Sequence, residues 1–492
     1  MRKFKRSLSL RERVRVRESR RLATGGLLLS LAFSLAGCWK VGPDYVKPQV
    51  DTPKQWRFAD KAARDTTNLK WWKLLGDPML DKLVNRAILG NLDLKIAVAR
   101  VDEFMGLYGT TRSNLFPQVS GFAEYHRQVL PVLGERNVTR LGGQLSWELD
   151  VWGALRRANE AAFADLLGQE AFQRAVILTL ASDVAQTYIQ LRTLDKNLEI
   201  TRRMVGTLEE QLSIETIRFK EGFGSELEVS QVQSEYERRQ ALIPVAEQAI
   251  AQTEHALKVL LGQNPGPIPR GKSLDELKLP AVPAGLPSDL LVRRPDIRIA
   301  EQTLIAANAR IGVARGLYFP KVLITGDLGQ LASQTGELFT PGRNFWSIGS
   351  NILGPIFTAG KIAGQVQATE AVQRQAVANY QQTIISAFRE FEDALVATQK
   401  TKEQRRKQAE RVAAVENYYR LSKLRYDEGL VDYITVLDSL RQLYEAQIDL
   451  LQAHSATYTA SIQLYRAMGG GWIVAAEEDA QLPKPREASV FP

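Results

Sequence analysis

Thr139-Arg140-Leu141-Gly142-Gly143-Gln144-Leu145-Ser146-Trp147-Glu148-Leu149-Asp150 is the stretch that decides the fold. Leu141, Gly143, Leu145, Trp147 and Leu149 share one face at a period of two, and Arg140, Gln144, Ser146, Glu148 and Asp150 share the other. That is the pattern of a strand with one apolar and one polar side. The segment before it alternates less cleanly, with Val119, Ala123 and Tyr125 opposite Ser120, Glu124, His126 and Gln128, and the pair suggests a β-hairpin. Beyond Gly153 the period changes. No proline occurs between Pro131 and Pro244, so nothing forces a break in a helix from Ala154 to about Glu221. Ile177, Val184, Leu191, Leu198, Val205 and Leu212 recur every seven residues, with Leu180, Leu194 and Leu208 three further on, which is a coiled-coil seam.

The whole plan then repeats. Arg112 and Leu115-Phe116-Pro117 recur as Arg315 and Tyr318-Phe319-Pro320, and Gly153, Arg218, Gly222 and Leu261-Gly262 recur as Gly360, Arg425, Gly429 and Met468-Gly469. The offset grows by four residues between Pro117 and Gly153, which points to the exposed loop of the hairpin. In the second copy Val322, Ile324 and Leu328 stand opposite Thr325 and Asp327, and Trp346, Ile348 and Ile352 opposite Ser347 and Asn351. Arg218-Phe219-Lys220-Glu221-Gly222 and Arg425-Tyr426-Asp427-Glu428-Gly429 end the long helices, each with glycine placed as a helix C-cap. Ser225 and Glu228 form a capping box for the returning helix, in which Pro244 predicts a kink.

These signals divide the chain into a leader at 1–37, a segment at 38–70, a first repeat at 71–270, a linker at 271–284, a second repeat at 285–472 and a tail at 473–492. Each repeat is a helix, a β-hairpin (about 118–150 and 321–353) and a long helical hairpin (about 154–262 and 361–468).

Composition is ordinary for a globular chain, at 45% hydrophobic and 24% charged. The net charge of +9 suggests nucleic acid until it is placed: residues 1–37 hold ten basic and two acidic side chains, so the remainder is close to neutral. The basic leader, its apolar core from Leu27 to Leu35 and the small residues before Cys38 are those of a secretory signal. Leu35-Ala36-Gly37-Cys38 resembles the lipobox of bacterial lipoproteins, which makes Cys38, the one cysteine, a lipidation site; the alternative is a plain thiol.

Four amphipathic strands cannot close a barrel, and a membrane excludes open sheet edges. Three copies would supply twelve strands around a watery lumen. At this point the residues support a resemblance. Cys38 to Tyr45, Trp71-Trp72 with Asp77-Pro78, Gly285 to Leu291 with Arg294-Pro295-Asp296-Ile297, and Gly469-Gly470-Gly471-Trp472 resemble the lipoprotein branch of the TolC-like outer-membrane factors, exit ducts of tripartite RND-type efflux pumps. The resemblance implies an α+β membrane protein and a homotrimer: a twelve-stranded outer-membrane β-barrel continuing into a periplasmic α-helical coiled-coil barrel. It also implies docking to a periplasmic adaptor and an inner-membrane RND transporter, and no cofactor.

By motif match, Ile434, Asp438 and Arg441 would form the channel gate, and Arg425 and Tyr426 would tether it. The alternative for Asp438 and Arg441 is an i, i+3 surface pair. Arg218, Phe219, Gly222, Phe223 and Gly429 mark hairpin tips that would meet the adaptor, or that only build the turns. Trp147, Trp346 and Tyr125 are candidate interfacial aromatics, whereas Trp152 fits there or where strand gives way to helix. His126, His255 and His454 match no metal-ligand spacing, and no phosphate loop or nucleophile motif is present, so the chain reads as a non-enzyme. Asp195 and Glu199 look like a solvated helix face. A static envelope scaffold, or an exit duct for type I secretion or metal ions, are the competing functions.

Overall fold

The computed structural model describes residues 40–53, 56–58, 70–131, 134–280 and 287–479; Cys38 and the leader lie outside the described residues. Ten α-helices and four strands follow in the order α1 (Pro78–Gly90), α2 (Leu92–Ser113), β1 (Gln118–Leu130), β2 (Gly134–Leu149), α3 (Ala154–Lys220), α4 (Glu226–Gln240), α5 (Leu242–Leu260), α6 (Pro287–Arg293), α7 (Pro295–Gly316), β3 (Lys321–Ala332), β4 (Asn344–Leu353), α8 (Lys361–Asp427), α9 (Tyr433–Ala467) and α10 (Ile473–Asp479). They fall into two compact units.

The first unit comprises Met1–Lys47, Gly106–Asp165 and Thr303–Val377. Its sheet is antiparallel with strand order β1-β2-β3-β4. The register places Val119, Leu145, Gly326 and Ile348 in one row, and Gly121, Gly143, Leu328 and Trp346 in the next, all on the same face. Large apolar side chains on that face stand open, among them Val119 at 75%, Leu328 at 70% and Trp346 at 78%. The opposite face carries Glu124, His126, Arg140, Gln144, Glu148 and Asp327. Trp152 sits where strand gives way to helix, stacked on Phe319 with centroids 4.8 Å apart and donating its indole N–H to the Pro320 carbonyl at 2.7 Å.

The growth of the second copy needs correcting in place. Connections 150–153 and 354–360 lead from the hairpins into α3 and α8, so three of the four extra residues lie there and only one within the hairpin. Ile356 and Phe357 in this longer connection are almost fully exposed. In the same unit Asp150 accepts from the Leu155 and Arg156 amides at 2.9 Å, starting α3. Arg157, 1% exposed, donates to the Val41 and Gly42 carbonyls at 3.1 Å and to Asp44 at 2.7 Å, which fixes the N-terminal segment.

The second unit comprises Pro48–Met105, Leu166–Gln302 and Ala378–Pro492. Its core gathers the distant motifs. Trp72 meets Trp472 edge-on at 4.7 Å, Trp71 stacks on Tyr465 at 5.8 Å, and all three indoles are essentially inaccessible. Such aromatic pairs add about 0.5–1.5 kcal/mol each beyond their burial. Asp77, 2% exposed, caps α1 by accepting from Met79 N at 2.8 Å, and also accepts from the Tyr188 hydroxyl at 2.6 Å and Lys272 N at 3.1 Å. Arg294 donates to the Ala467 carbonyl at 3.0 Å and to Glu390 at 2.6 Å, seating α7 against the end of α9.

The returning helix of the first repeat is interrupted where Pro244 acts. A proline removes an N–H and crowds the carbonyl four residues back, and α4 ends at that residue, Gln240. The matching α9 has no proline and runs unbroken for 35 residues. Glu199 is exposed, while Asp195 is part-buried and ion-paired: Arg270 donates to it at 2.8 and 3.1 Å and Arg192 at 2.6 Å.

Asp77→Ala removes a cap and strands the Tyr188 hydroxyl and the Lys272 amide, so it is expected to cost about 2–4 kcal/mol. A thermal melt of the detergent-solubilised protein checks this, and an unchanged midpoint would show that the hydrogen bonds are dispensable.

Candidate functional site at the hairpin tips

Both long helices end in the same backbone device. Phe223 N donates to the Arg218 carbonyl at 2.7 Å and Gly222 N to Phe219 at 3.0 Å; Leu430 N donates to Arg425 at 2.8 Å and Gly429 N to Tyr426 at 2.8 Å. These are Schellman closures, and they need a residue at positive φ. Gly222 at φ 78° and Gly429 at φ 73° supply it. The capping box then restarts α4, with Ser225 N donating to Glu228 at 3.0 Å and Glu228 N to Ser225 Oγ at 3.4 Å. The turns leave apolar side chains outward: Phe223 is 78% and Leu430 62% exposed.

Just behind the tips the seam between repeats becomes polar. Glu215 on α3 follows Leu208 by one heptad and is 1% exposed. Its carboxylate accepts from the Tyr426 hydroxyl at 3.1 Å, and the Arg218 guanidinium lies over the Tyr426 ring at 5.0 Å. Tyr426 meets Tyr433 edge-on at 5.3 Å. Among the described residues Glu215 Oε1 and the buried Tyr433 hydroxyl have no hydrogen-bond partner. Burial raises the Glu215 carboxyl above its ordinary range against the opposing pull of Tyr426 and Arg218, while Glu228 and Asp427 push the same way as burial. Burial and the Glu215 charge raise both Tyr426 and Tyr433.

A second buried acid lies further back on α4. Glu235, 1% exposed, accepts from Arg239 at 2.7 Å and from Arg441 on α9 at 2.8 Å. Arg239 is itself 4% exposed, with its guanidinium 4.1 Å from the Tyr444 ring centroid, and Tyr444 shares a 3.1 Å hydrogen bond with Thr201. An acid between two guanidinium groups and an aromatic face forms a staple that holds the start of α9 on α4.

The proposed gate residues Ile434, Asp438 and Arg441 lie at i, i+4 and i+7 on α9, on one stripe. Ile434 is 45% exposed, Asp438 is exposed and accepts from Gln442 at 2.7 Å, and Arg441 goes to Glu235. Arg425 is exposed at the end of α8, whereas Tyr426 reaches α3 of the same chain. Glu215, Glu235, Arg239, Tyr433 and Tyr444 were not visible as site residues in the sequence. Glu215 and Thr201 had a signal, since each continues the Leu194 and Leu208 register with a polar side chain, the device that fixes pairing in coiled coils. His454 is buried beside Asp275 and Tyr458, and burial, reinforced by Arg405, lowers it to about 4, so it stays neutral. Among the described residues no group of three or more acids, histidines or cysteines is placed to hold a metal ion, and no helix is long and apolar enough to cross a membrane.

A family model described as outer membrane efflux protein matches residues 83–263 and 286–470, one segment for each repeat. The solvent efflux pump outer membrane protein SrpC of Pseudomonas putida is 36% identical over 455 residues, which are 89% of this chain and 97% of that one. The cation efflux system protein CusC of Escherichia coli is 32% identical over 451 residues, 90% of this chain and 97% of its own. The open state of the Neisseria gonorrhoeae MtrE outer membrane channel superposes with a TM-score of 0.80 at 28% identity, covering 88% of this chain and 98% of that one.

Because Glu215 is raised in the folded tip, its neutral form favours the closed packing. That contribution is complete below the ordinary glutamate value and is lost as pH rises through the raised value. Amide exchange at residues 425–433, corrected for intrinsic rates, is therefore expected to speed up with rising pH in that window. Glu215→Gln is expected to abolish the dependence, and an identical slope in the variant would remove Glu215 as its cause. Glu235→Ala leaves Arg239 buried without its acid and is expected to destabilise by about 3–5 kcal/mol, with Glu235→Gln milder, as read from denaturation midpoints.

Proposed function

We propose, since the chain belongs to the outer membrane efflux protein family, that three copies close into one exit duct gated at the tips of α9. As a member of that family the protein is an outer-membrane efflux channel and not an enzyme. The observation that carries the trimeric reading is the sheet. One face is open and apolar, the other polar, and β1 and β4 each pair on one side within the chain. Three such sheets edge to edge satisfy every strand, put the apolar face in lipid and enclose water.

In this duct Ile434 and Asp438 face the axis near the periplasmic end, and three Asp438 carboxylates make a cation-favouring ring. Arg441 acts from behind that ring, holding α9 to α4 through Glu235. Tyr426 and Glu215 tie the second hairpin to the first, and Arg425 stands at the same turn. The exposed Phe219, Phe223 and Leu430 at the tips form the surface for a periplasmic adaptor, which connects the duct to an inner-membrane RND transporter. A diacylglycerol on Cys38 adds retention at the outer membrane, where barrel insertion dominates affinity. The relative SrpC is a solvent pump component, which supports small organic compounds as cargo.

Single-channel recording of the purified trimer in planar bilayers tests the reading. Wild type is expected to show small, mostly closed currents, and Asp438→Ala, Arg441→Ala large ones. Trimers that insert and never conduct, in either form, would leave a static scaffold as the better account.

A further inference from the structure

The polar face of the sheet holds one row that is not polar. The register pairs Phe122 with Gly142, Gly142 with Gly329, and Gly329 with Phe345, so a single level across all four strands is Phe, Gly, Gly, Phe. Three strand spacings separate the outer two backbones by roughly 14 Å. Their rings nevertheless lie with centroids 6.4 Å apart, so both phenyls lean inward over the glycines. The glycines make the room. A Cβ on Gly142 would stand 3.0 Å from Phe122 Cζ and 2.3 Å from the Leu328 carbonyl oxygen, and one on Gly329 2.2 Å from the Leu141 carbonyl oxygen.

Arg140 completes the arrangement from the same face. Its guanidinium lies 5.0 Å from the Phe122 centroid and 5.2 Å from that of Phe345, so it bridges the two rings. Nη1 donates to Glu124 at 3.3 Å, and His126 Nε2 approaches the same carboxylate at 3.7 Å. A guanidinium carries five N–H donors in a planar fork, and the Glu124 bond uses one of them. Phe122, Arg140 and Phe345 are all half-buried rather than sealed, so ring faces and donor edges together meet whatever fills the lumen.

We propose that Phe122, Arg140 and Phe345 form a solute-contact collar within the β-barrel, one per protomer, that takes flat aromatic molecules carrying an anionic group. The inference rests on the barrel reading above, which puts this face in the lumen. The aromatic part of such a solute stacks on the phenyls and its anionic group meets the guanidinium edge, two attractions that a simple ion or an aliphatic acid does not combine. The collar acts on passage and selectivity, separately from the gate on α9.

The probe is 2-naphthoate, with acetate as the aliphatic control, added during single-channel recording of the full-length trimer. Wild type and the Asp438→Ala, Arg441→Ala form both serve as conducting backgrounds. Naphthoate is expected to cause resolvable blocks and acetate none. Phe122→Leu, Phe345→Leu is expected to shorten block dwell times about tenfold. Arg140→Lys, which keeps the charge and loses the planar fork, is expected to shorten them as well. If the double leucine variant fails to assemble, Arg140→Lys alone decides. Blocks of equal length in wild type and variants, or conducting channels that naphthoate never blocks, overturn the collar and leave the duct standing. Inserted trimers that pass no current overturn both.

Discussion

Hydrocarbon offers no hydrogen bond to a backbone amide, and that constraint organises the molecule. A sheet ordered β1-β2-β3-β4 has two outer strands whose far sides have no partner among the described residues of the chain. A soluble protein would cover such edges with charge, proline or a helix. Here the strands instead expose valine, leucine, isoleucine and tryptophan on one face, and in the duct proposed above further copies of the same sheet would conceal the edges. The duplication makes this economical, since each repeat contributes one hairpin and the two hairpins pair through β2 and β3.

Strands and helices were legible because each announced itself by period. Alternation at Leu141, Leu145 and Trp147 marked β2, and a proline-free run with a heptad seam marked α3. The Schellman glycines and the Ser225 capping box were equally plain, because those turns admit few residue types. What the pattern hid were polar residues doing structural jobs. Glu215 and Glu235 look like surface acids in a linear text, and only Tyr426 and Arg441, brought from other helices, show that they are enclosed. The ion pair of Asp195 is hidden in the same way, since its partner Arg270 is 75 residues away. The location of the second copy's extra residues was misplaced because a sequence offset says how many residues entered, not on which side of a strand.

The buried acids near the tips are a costly way to hold helices together. An apolar seam would hold α3 and α8 together more firmly than Glu215 with an unpaired oxygen and a buried tyrosine hydroxyl nearby. In the gated duct proposed above, contacts whose alternative partners cost little would ease the change between closed and open, and a carboxyl among hydroxyls and guanidinium groups is such a contact. The seam is firm where Ile177, Leu180 and Val184 are sealed and becomes negotiable towards the turns.

The single proline at position 244 sets the two repeats mechanically apart. The first repeat's return leg is divided after Gln240, where Ala241 separates α4 from α5. The second repeat's return leg, α9, is one rod of 35 residues, from Tyr433 at the turn to Ala467 beside the Arg294 anchor. In the duct proposed above, a rod seated at one end would widen an aperture at its tip by turning about that seat, and the longer the rod the smaller the angle needed. Repeats that match in sequence thus differ in one helix, divided near a proline in the first copy and continuous in the second.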